Sequence, residues 1–207
     1  LNSNSSSEVL SLDVDSCDWF NPFYSAAEKI VSLIVKTKFD GKGARSPIDL
    51  VFVLDKSGSM SSSLGVSNKS CISLAKEAIL KLINFMDNED RLSLVTIDCQ
   101  ASPVIEMDYL KNIREEKKLE NHNSNINSIS AGGGTELVVG FIEALKQLGY
   151  NKNIQKTGNS DGSRREKRIV YSTDMNYISD SAFNDLIKNS ALSGVYTTIL
   201  GIGADLN

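Results

Sequence analysis

The chain has 207 residues, which is enough for one sizeable domain with a buried core or for two small ones. Its 22 basic and 26 acidic residues give a formal net charge of −4, so there is no electrostatic case for binding nucleic acid. No apolar run approaches the roughly 18 residues that a membrane-spanning helix needs. We therefore expect no membrane span in this chain.

The N-terminal part of the chain differs in composition from the rest. It opens with a Ser- and Asn-rich tract, and an aromatic group that includes Trp19 follows around Pro22. This composition predicts a flexible or irregular segment over residues 1–28. We expect the aromatic group to pack against the neighbouring domain, and partner binding is the alternative.

The remaining residues, 29–207, are predicted to form one domain that begins with an extra strand over residues 29–38. Because the chain opens on a low-complexity tail, we expect this domain to be a monomeric part of a larger protein. Hydrophilic residues 150–167 are predicted to be a mobile surface insertion. His122 lies in a polar stretch and is predicted to be a surface residue.

Short apolar runs alternate with amphipathic stretches through this domain. The apolar runs predict strands at residues 50–54, 92–97, 103–107, 168–172 and 195–202, and the third of these is expected at a sheet edge. Helical spacing of apolar residues predicts helices at residues 70–86, 136–148 and 180–193, with weaker helical anchors within 109–130. The alternation predicts an α/β fold, a doubly wound, mostly parallel sheet with helices on both faces.

The first buried strand of this domain ends in a group of oxygen-bearing side chains. Asp55, Ser57 and Ser59 occupy alternate positions, and Gly58 allows the chain to bend tightly between the two serines. Ligands bind at the carboxyl ends of strands in open α/β sheets. Carboxylate and hydroxyl oxygens suit Mg²⁺, Mn²⁺ or Ca²⁺ better than zinc. A Ser-rich turn that only caps a helix is the alternative.

Two later segments supply further oxygen donors at the same predicted edge. Thr135 follows three consecutive glycines, and Asp174 follows a buried strand. Each has an alternative explanation, because Thr135 could cap the next helix and Asp174 could be solvated.

The motifs Asp55-x-Ser57-x-Ser59, Gly-Gly-Gly-Thr135 and strand-Thr-Asp174 together resemble the von Willebrand factor type A (VWA) family. The resemblance covers about residues 48–203 and centres on the metal-ion-dependent adhesion site, or MIDAS. It implies that the two serines and Thr135 bind a Mg²⁺, Mn²⁺ or Ca²⁺ ion directly. The two acids would act directly or through water. One coordination position would stay open for an Asp or Glu carboxylate of a partner protein.

The chain departs from the family pattern at two places. Met175 stands where the family usually has glycine after the acid, which could crowd the loop. The helix, strand and final helix that usually follow the strand ending at Gly203 are absent, so we expect the C-terminal part of the fold to be missing.

Two other functions remain to be weighed against a binding module. A strand-ending Asp55 also occurs in metal-dependent phosphatases, but those enzymes need an acid two residues later, where this chain has Ser57. The sequence contains no phosphate-binding glycine loop. It also shows no Ser/His/Asp arrangement that would make the single histidine catalytic. We therefore predict that the protein is not an enzyme. A VWA scaffold that binds no metal is the second alternative.

The three cysteines, Cys17, Cys71 and Cys99, are widely spaced and lack the spacing of a metal site. We predict free thiols, with Cys71 on a helix stripe and Cys99 at a strand end both buried. Free thiols favour a cytoplasmic compartment over a secreted one.

Overall fold

The computed structural model describes residues 10–21, 26–37, 45–63, 69–154, 165–174 and 181–202. These residues belong to two compact units, one within residues 1–45 and the other within 46–207. The predicted flexible tail at residues 1–8 lies outside the described residues, as does most of the predicted insertion at 150–167.

The first unit contains an antiparallel hairpin of strands β1 (Leu10–Asn21) and β2 (Ala26–Thr37). The irregular segment predicted up to residue 28 is therefore wrong over β1. Leu10, Leu12 and Val14 alternate with polar residues, which is the pattern of a strand. The nearby Ser/Asn tract and Pro22 obscured that short signal.

The predicted extra strand over residues 29–38 exists as β2, but it lies in the first unit and not in the domain to which the sequence assigned it. It pairs with β1 along its whole length, and the sheet of the second unit does not include it. β1 supplies the hydrogen-bonding partner along one edge of β2. The division between the units falls after Arg45, whereas the sequence placed the start of the domain at residue 29.

The second unit is built on a five-stranded sheet in the order β5-β4-β3-β6-β7. All neighbouring strands are parallel except β4 and β5. This confirms the predicted mostly parallel sheet, and the strand predicted at residues 103–107 lies at its edge within β5. The strands are β3 (Ile48–Asp55), β4 (Arg91–Ile97), β5 (Ala101–Tyr109), β6 (Glu166–Thr173) and β7 (Val195–Gly201).

Helices cover both faces of this sheet, as predicted. The residues of β3 alternate between two cores: Leu50, Phe52 and Leu54 enter one, and Val51 and Val53 enter the other. This alternation explains why β3 is an unbroken apolar run. The first core packs under α1 (Cys71–Phe85), α2 (Leu110–Ile113) and α3 (Glu116–Ser128), and the second packs under α4 (Leu137–Gln147) and α5 (Ser181–Leu192).

The order of the strands determines where a ligand can bind. From β3 the chain first adds β4 on one side and later adds β6 on the other side of β3. A crevice forms beyond the carboxyl ends of the strands at such a switch in direction. Asp55 ends β3, and Asp174 directly follows β6. The two acids that the sequence singled out therefore flank this switch point.

Two predicted exposures are wrong. Cys99 is exposed, because it lies in the turn after β4 and not within the strand. His122 is half-buried, with its Nδ1 enclosed and without a hydrogen-bond partner. It lines a groove of about 470 Å³ between β5 and α3, and burial lowers the pKa of its imidazole.

Among the described helices, none combines the length and hydrophobicity that a bilayer span requires.

Candidate metal centre

Asp55 is the most enclosed residue of the predicted site, with a relative exposure of 0%. Its Oδ1 accepts a hydrogen bond of 2.8 Å from the backbone N–H of Ser57. Its Oδ2 accepts one of 2.7 Å from the hydroxyl of Thr173. A buried carboxylate is unfavourable unless such donors or a cation compensate its charge. The sequence did not predict the role of Thr173, although its position in β6 beside Asp174 was a signal.

The two serines of the motif lie side by side. Their hydroxyl oxygens are 3.1 Å apart. A short 3-10 helix, Gly58–Ser61, curls the chain immediately after β3, and the Met60 N–H donates to the Ser57 carbonyl. Met60 is fully buried and anchors this turn, while Ser59 is exposed. The turn therefore brings two hydroxyl oxygens together beyond the carboxyl end of the central strand β3, with Ser57 buried and Ser59 open to solvent.

The glycine loop packs directly against this turn. The Gly132 N–H donates to the Lys56 carbonyl at 2.7 Å, and the Gly58 N–H donates to the Gly133 carbonyl at 3.1 Å. Gly133 has a φ of +87°, a conformation that L side chains rarely adopt. These bonds bring the loop that carries Thr135 beside Ser57 and Ser59, immediately before α4 begins.

Close packing of α4 fixes the far end of the glycine loop. A Cβ atom at Gly140 would lie 2.5 Å from Ile97 Cγ2 and 2.9 Å from the Tyr171 hydroxyl oxygen. Only glycine therefore lets α4 approach the sheet this closely. The Tyr171 hydroxyl also donates to the Leu137 carbonyl at 2.9 Å, at the first residue of α4.

Asp174 lies near the start of α1. Burial, and then the charge of Asp174, raise the pKa of the Cys71 thiol, and Cys71 is the first residue of α1. Asp174 is itself half-buried and directly follows Thr173, whose hydroxyl contacts Asp55. Met175, the predicted departure from the family pattern, lies outside the described residues.

The donor set fits a hard divalent cation. It offers two carboxylates and three hydroxyls from three different chain segments, and such oxygen ligands suit Mg²⁺, Mn²⁺ or Ca²⁺. Within the described ranges no group of three His, Cys, Asp or Glu side chains could hold a metal ion. A thiolate- or imidazole-rich site is therefore absent from that part of the chain. The metal-binding role of Asp55, Ser57, Ser59, Thr135 and Asp174 stays a prediction.

Comparison with known proteins identifies the family. The family model of the von Willebrand factor type A domain matches residues 50–176, so the chain belongs to this family. An uncharacterized protein of Synechocystis, sll0103, is 32% identical over 126 residues. That match covers 61% of this chain but 27% of the relative, so the chain spans about a quarter of that protein's length.

Solved structures share the fold at low sequence identity. A von Willebrand factor type A protein from Catenulispora acidiphila is 15% identical with a TM-score of 0.57, covering 99% of this chain and 43% of that one. Manganese-loaded TRAP protein of Plasmodium vivax is 16% identical with a TM-score of 0.57, covering 95% and 64%. Proximal thread matrix protein 1 of the mussel byssus, with a zinc-occupied MIDAS motif, is 16% identical with a TM-score of 0.55, covering 77% and 39%.

The two described thiols should differ strongly in reactivity. Cys71 is buried with a raised pKa, whereas Cys99 is exposed, and both are free. Because the thiolate is the reactive form, a maleimide should label Cys99 within minutes and Cys71 only after unfolding. Peptide mass mapping would measure both, with Cys99→Ser as the control. Equal labelling of the two in the native protein would contradict their placement. A disulfide between Cys17 and another cysteine would favour an oxidising, secreted location over the predicted cytoplasmic one.

Proposed function

We propose that the second unit is a protein-binding module that uses a divalent cation to capture an Asp or Glu side chain of a partner protein. The observation that carries the proposal is the buried Asp55 carboxylate beside the paired hydroxyls of Ser57 and Ser59 at the switch point of the sheet. The bound cation would supply the positive charge that attracts the partner's carboxylate. Mg²⁺ or Mn²⁺ is the expected ion, with Ca²⁺ as an alternative.

The chemistry of the donor set explains why such a site would favour an acidic partner. When the two acids act through water, the direct protein ligands are neutral hydroxyls, and these leave a divalent ion electron-poor. An incoming carboxylate makes up this deficit. The protein's own residues hold the cation and leave its outer side accessible, since Ser59 is exposed.

A zinc-occupied MIDAS in one distant relative and bound manganese in another support a divalent ion. The low identity to those proteins means that they support the fold directly and the ion only by analogy.

The same geometry gives little support to an enzyme. Ser57 occupies the position where a phosphatase of this kind needs its general acid, and its hydroxyl is paired with that of Ser59. His122 lines the groove between β5 and α3, and Asp55 is not part of that lining. A binding role therefore accounts for more of the observed arrangement than catalysis does.

A peptide selection would test the proposal without requiring the natural partner. The immobilised domain would be screened against a random displayed peptide library in Mn²⁺. We expect every enriched peptide to contain an essential Asp or Glu, and EDTA to abolish its binding. Thr135→Ala should weaken binding at least tenfold, since it removes a hydroxyl ligand. Thr198→Ala, an exposed threonine in β7, is the matched control and should bind normally.

Peptides that bind equally in EDTA, or after Asp/Glu→Asn/Gln replacement, would contradict the proposal and favour a metal-free scaffold. Hydrolysis of p-nitrophenyl phosphate that requires Mg²⁺ and Asp55 would favour the phosphatase alternative.

A further inference from the structure

Beside the candidate metal centre lies an ion pair that the donor set does not include. Lys56, between Asp55 and Ser57 in sequence, directs its Nζ to the Asp98 carboxylate in the turn after β4. About a quarter of each side chain is exposed, 29% for Lys56 and 25% for Asp98. The hydrogen bond from Lys56 is the main cause of a lowered pKa for Asp98, so its carboxyl is ionised at neutral pH.

Asp98 also holds the turn in which it lies. Its Oδ1 accepts a hydrogen bond of 2.8 Å from the Gln100 N–H, and its own N–H donates to the Gln100 carbonyl at 3.0 Å. The side chain is therefore fixed by its turn before it meets Lys56. A fixed carboxylate positions a flexible lysine at lower entropic cost than a mobile one would.

The same aspartate supports the glycine loop. The backbone carbonyl of Asp98 accepts a hydrogen bond of 2.8 Å from the N–H of Glu136, the residue after Thr135. A Cβ atom at Gly133 would lie 3.1 Å from the Asp98 Cβ, which shows how closely the loop packs against this side chain. The Lys56 carbonyl accepts from Gly132 on the other side. The Lys56–Asp98 pair thus joins the serine turn, the turn after β4 and the glycine loop.

We propose that the Lys56–Asp98 pair sets the cation affinity of the metal centre. Asp98 neutralises a lysine that sits between two metal ligands in sequence, and it positions the loop that carries Thr135. This inference rests on the proposed function, because it concerns the same cation. It assigns Lys56 and Asp98 as positioning residues that do not bind the ion themselves.

The pair's electrostatic role predicts opposite effects for its two members. Asp98→Asn keeps the shape and the turn but leaves Lys56 unneutralised, so Mn²⁺ affinity should fall about three- to tenfold. Lys56→Met leaves an unpaired carboxylate, so affinity should rise about threefold. The double variant should return to within about twofold of the wild type. Both shifts should shrink in 0.5 M salt, because the side chains are partly exposed.

Isothermal titration with Mn²⁺ measures these affinities directly, and thermal unfolding of the metal-free variants reports any loss of fold. Glu89→Gln and Lys111→Met provide a charge-matched control. Each of these variants breaks the exposed Glu89–Lys111 ion pair, which lies at the amino end of β4, opposite the metal centre. The Mn²⁺ affinity should therefore stay unchanged in both. If the wild type binds Mn²⁺ but both pair variants weaken it equally, the pair is only structural and the inference fails. If the wild type binds no Mn²⁺, the proposed function fails and this inference fails with it.

Discussion

Replacing Asp55 with asparagine should lower the affinity for Mn²⁺ about 100-fold while leaving the fold intact. Asparagine keeps both hydrogen bonds of the native carboxylate. Its carbonyl oxygen can accept from the Ser57 N–H, and its amide can donate to the Thr173 hydroxyl. Only the negative charge is lost. Isothermal titration measures the affinity, and thermal unfolding without metal should show a change of no more than a few degrees.

The control for this variant is another aspartate of the same unit. Asp108→Asn removes the same charge in β5, where Asp108 is paired with Leu92 near the amino end of β4. It should leave Mn²⁺ binding unchanged. Equal affinities for the wild type and Asp55→Asn would show that Asp55 is a structural acid that only caps the serine turn.

The largest effect on stability is expected at the other end of β3. Asp49 is 1% exposed and forms ion pairs with both Arg91 and Arg165. The Arg165 side chain is itself only 6% exposed and also donates to the Glu89 carbonyl at 2.7 Å. Asp49→Ala would leave a buried guanidinium without its carboxylate, which typically costs about 3–5 kcal/mol of unfolding free energy. Chemical denaturation of the two proteins would measure this difference.

An exposed ion pair of the same region gives the comparison. Glu89 lies 3.2 Å from Lys111, and both side chains are at least half exposed. Glu89→Ala should therefore cost less than about 1 kcal/mol. A loss below about 1 kcal/mol for Asp49→Ala as well would mean that water or other groups compensate the arginines.

The fold of the second unit was predictable because its strand and helix patterns differ clearly. The helical stripes of α1 and α4 run over 15 and 11 residues, a length typical of helices. The apolar run of β3 is short, but its β-branched residues favour a strand. The first strand of the hairpin, β1, was missed because only Leu10, Leu12 and Val14 carry its alternation. β2 pairs with β1, the strand directly before it in the chain, so its partner could not be predicted once β1 was missed.

The site was predictable only as a set of oxygen donors at strand ends. Asp55, Ser57 and Ser59 are close in sequence, so their proximity follows from one turn. The supporting contacts come from residues far apart in the chain. Thr173 contacts Asp55 across 118 positions, and Asp98 contacts Lys56 across 42. Threonine and aspartate at strand ends are too common for their partners to be inferred without the fold.

The most direct test of the account is the number of Mn²⁺ ions that the wild-type chain binds. Equilibrium dialysis with metal analysis, at a protein concentration above the expected dissociation constant, measures this stoichiometry. The account predicts one ion per chain, displaced by Mg²⁺ and absent from Asp55→Asn under the same conditions. A wild-type chain that binds no Mn²⁺, or binds it equally after Asp55→Asn, would contradict the metal centre and leave a VWA scaffold that recognises its partner through another surface.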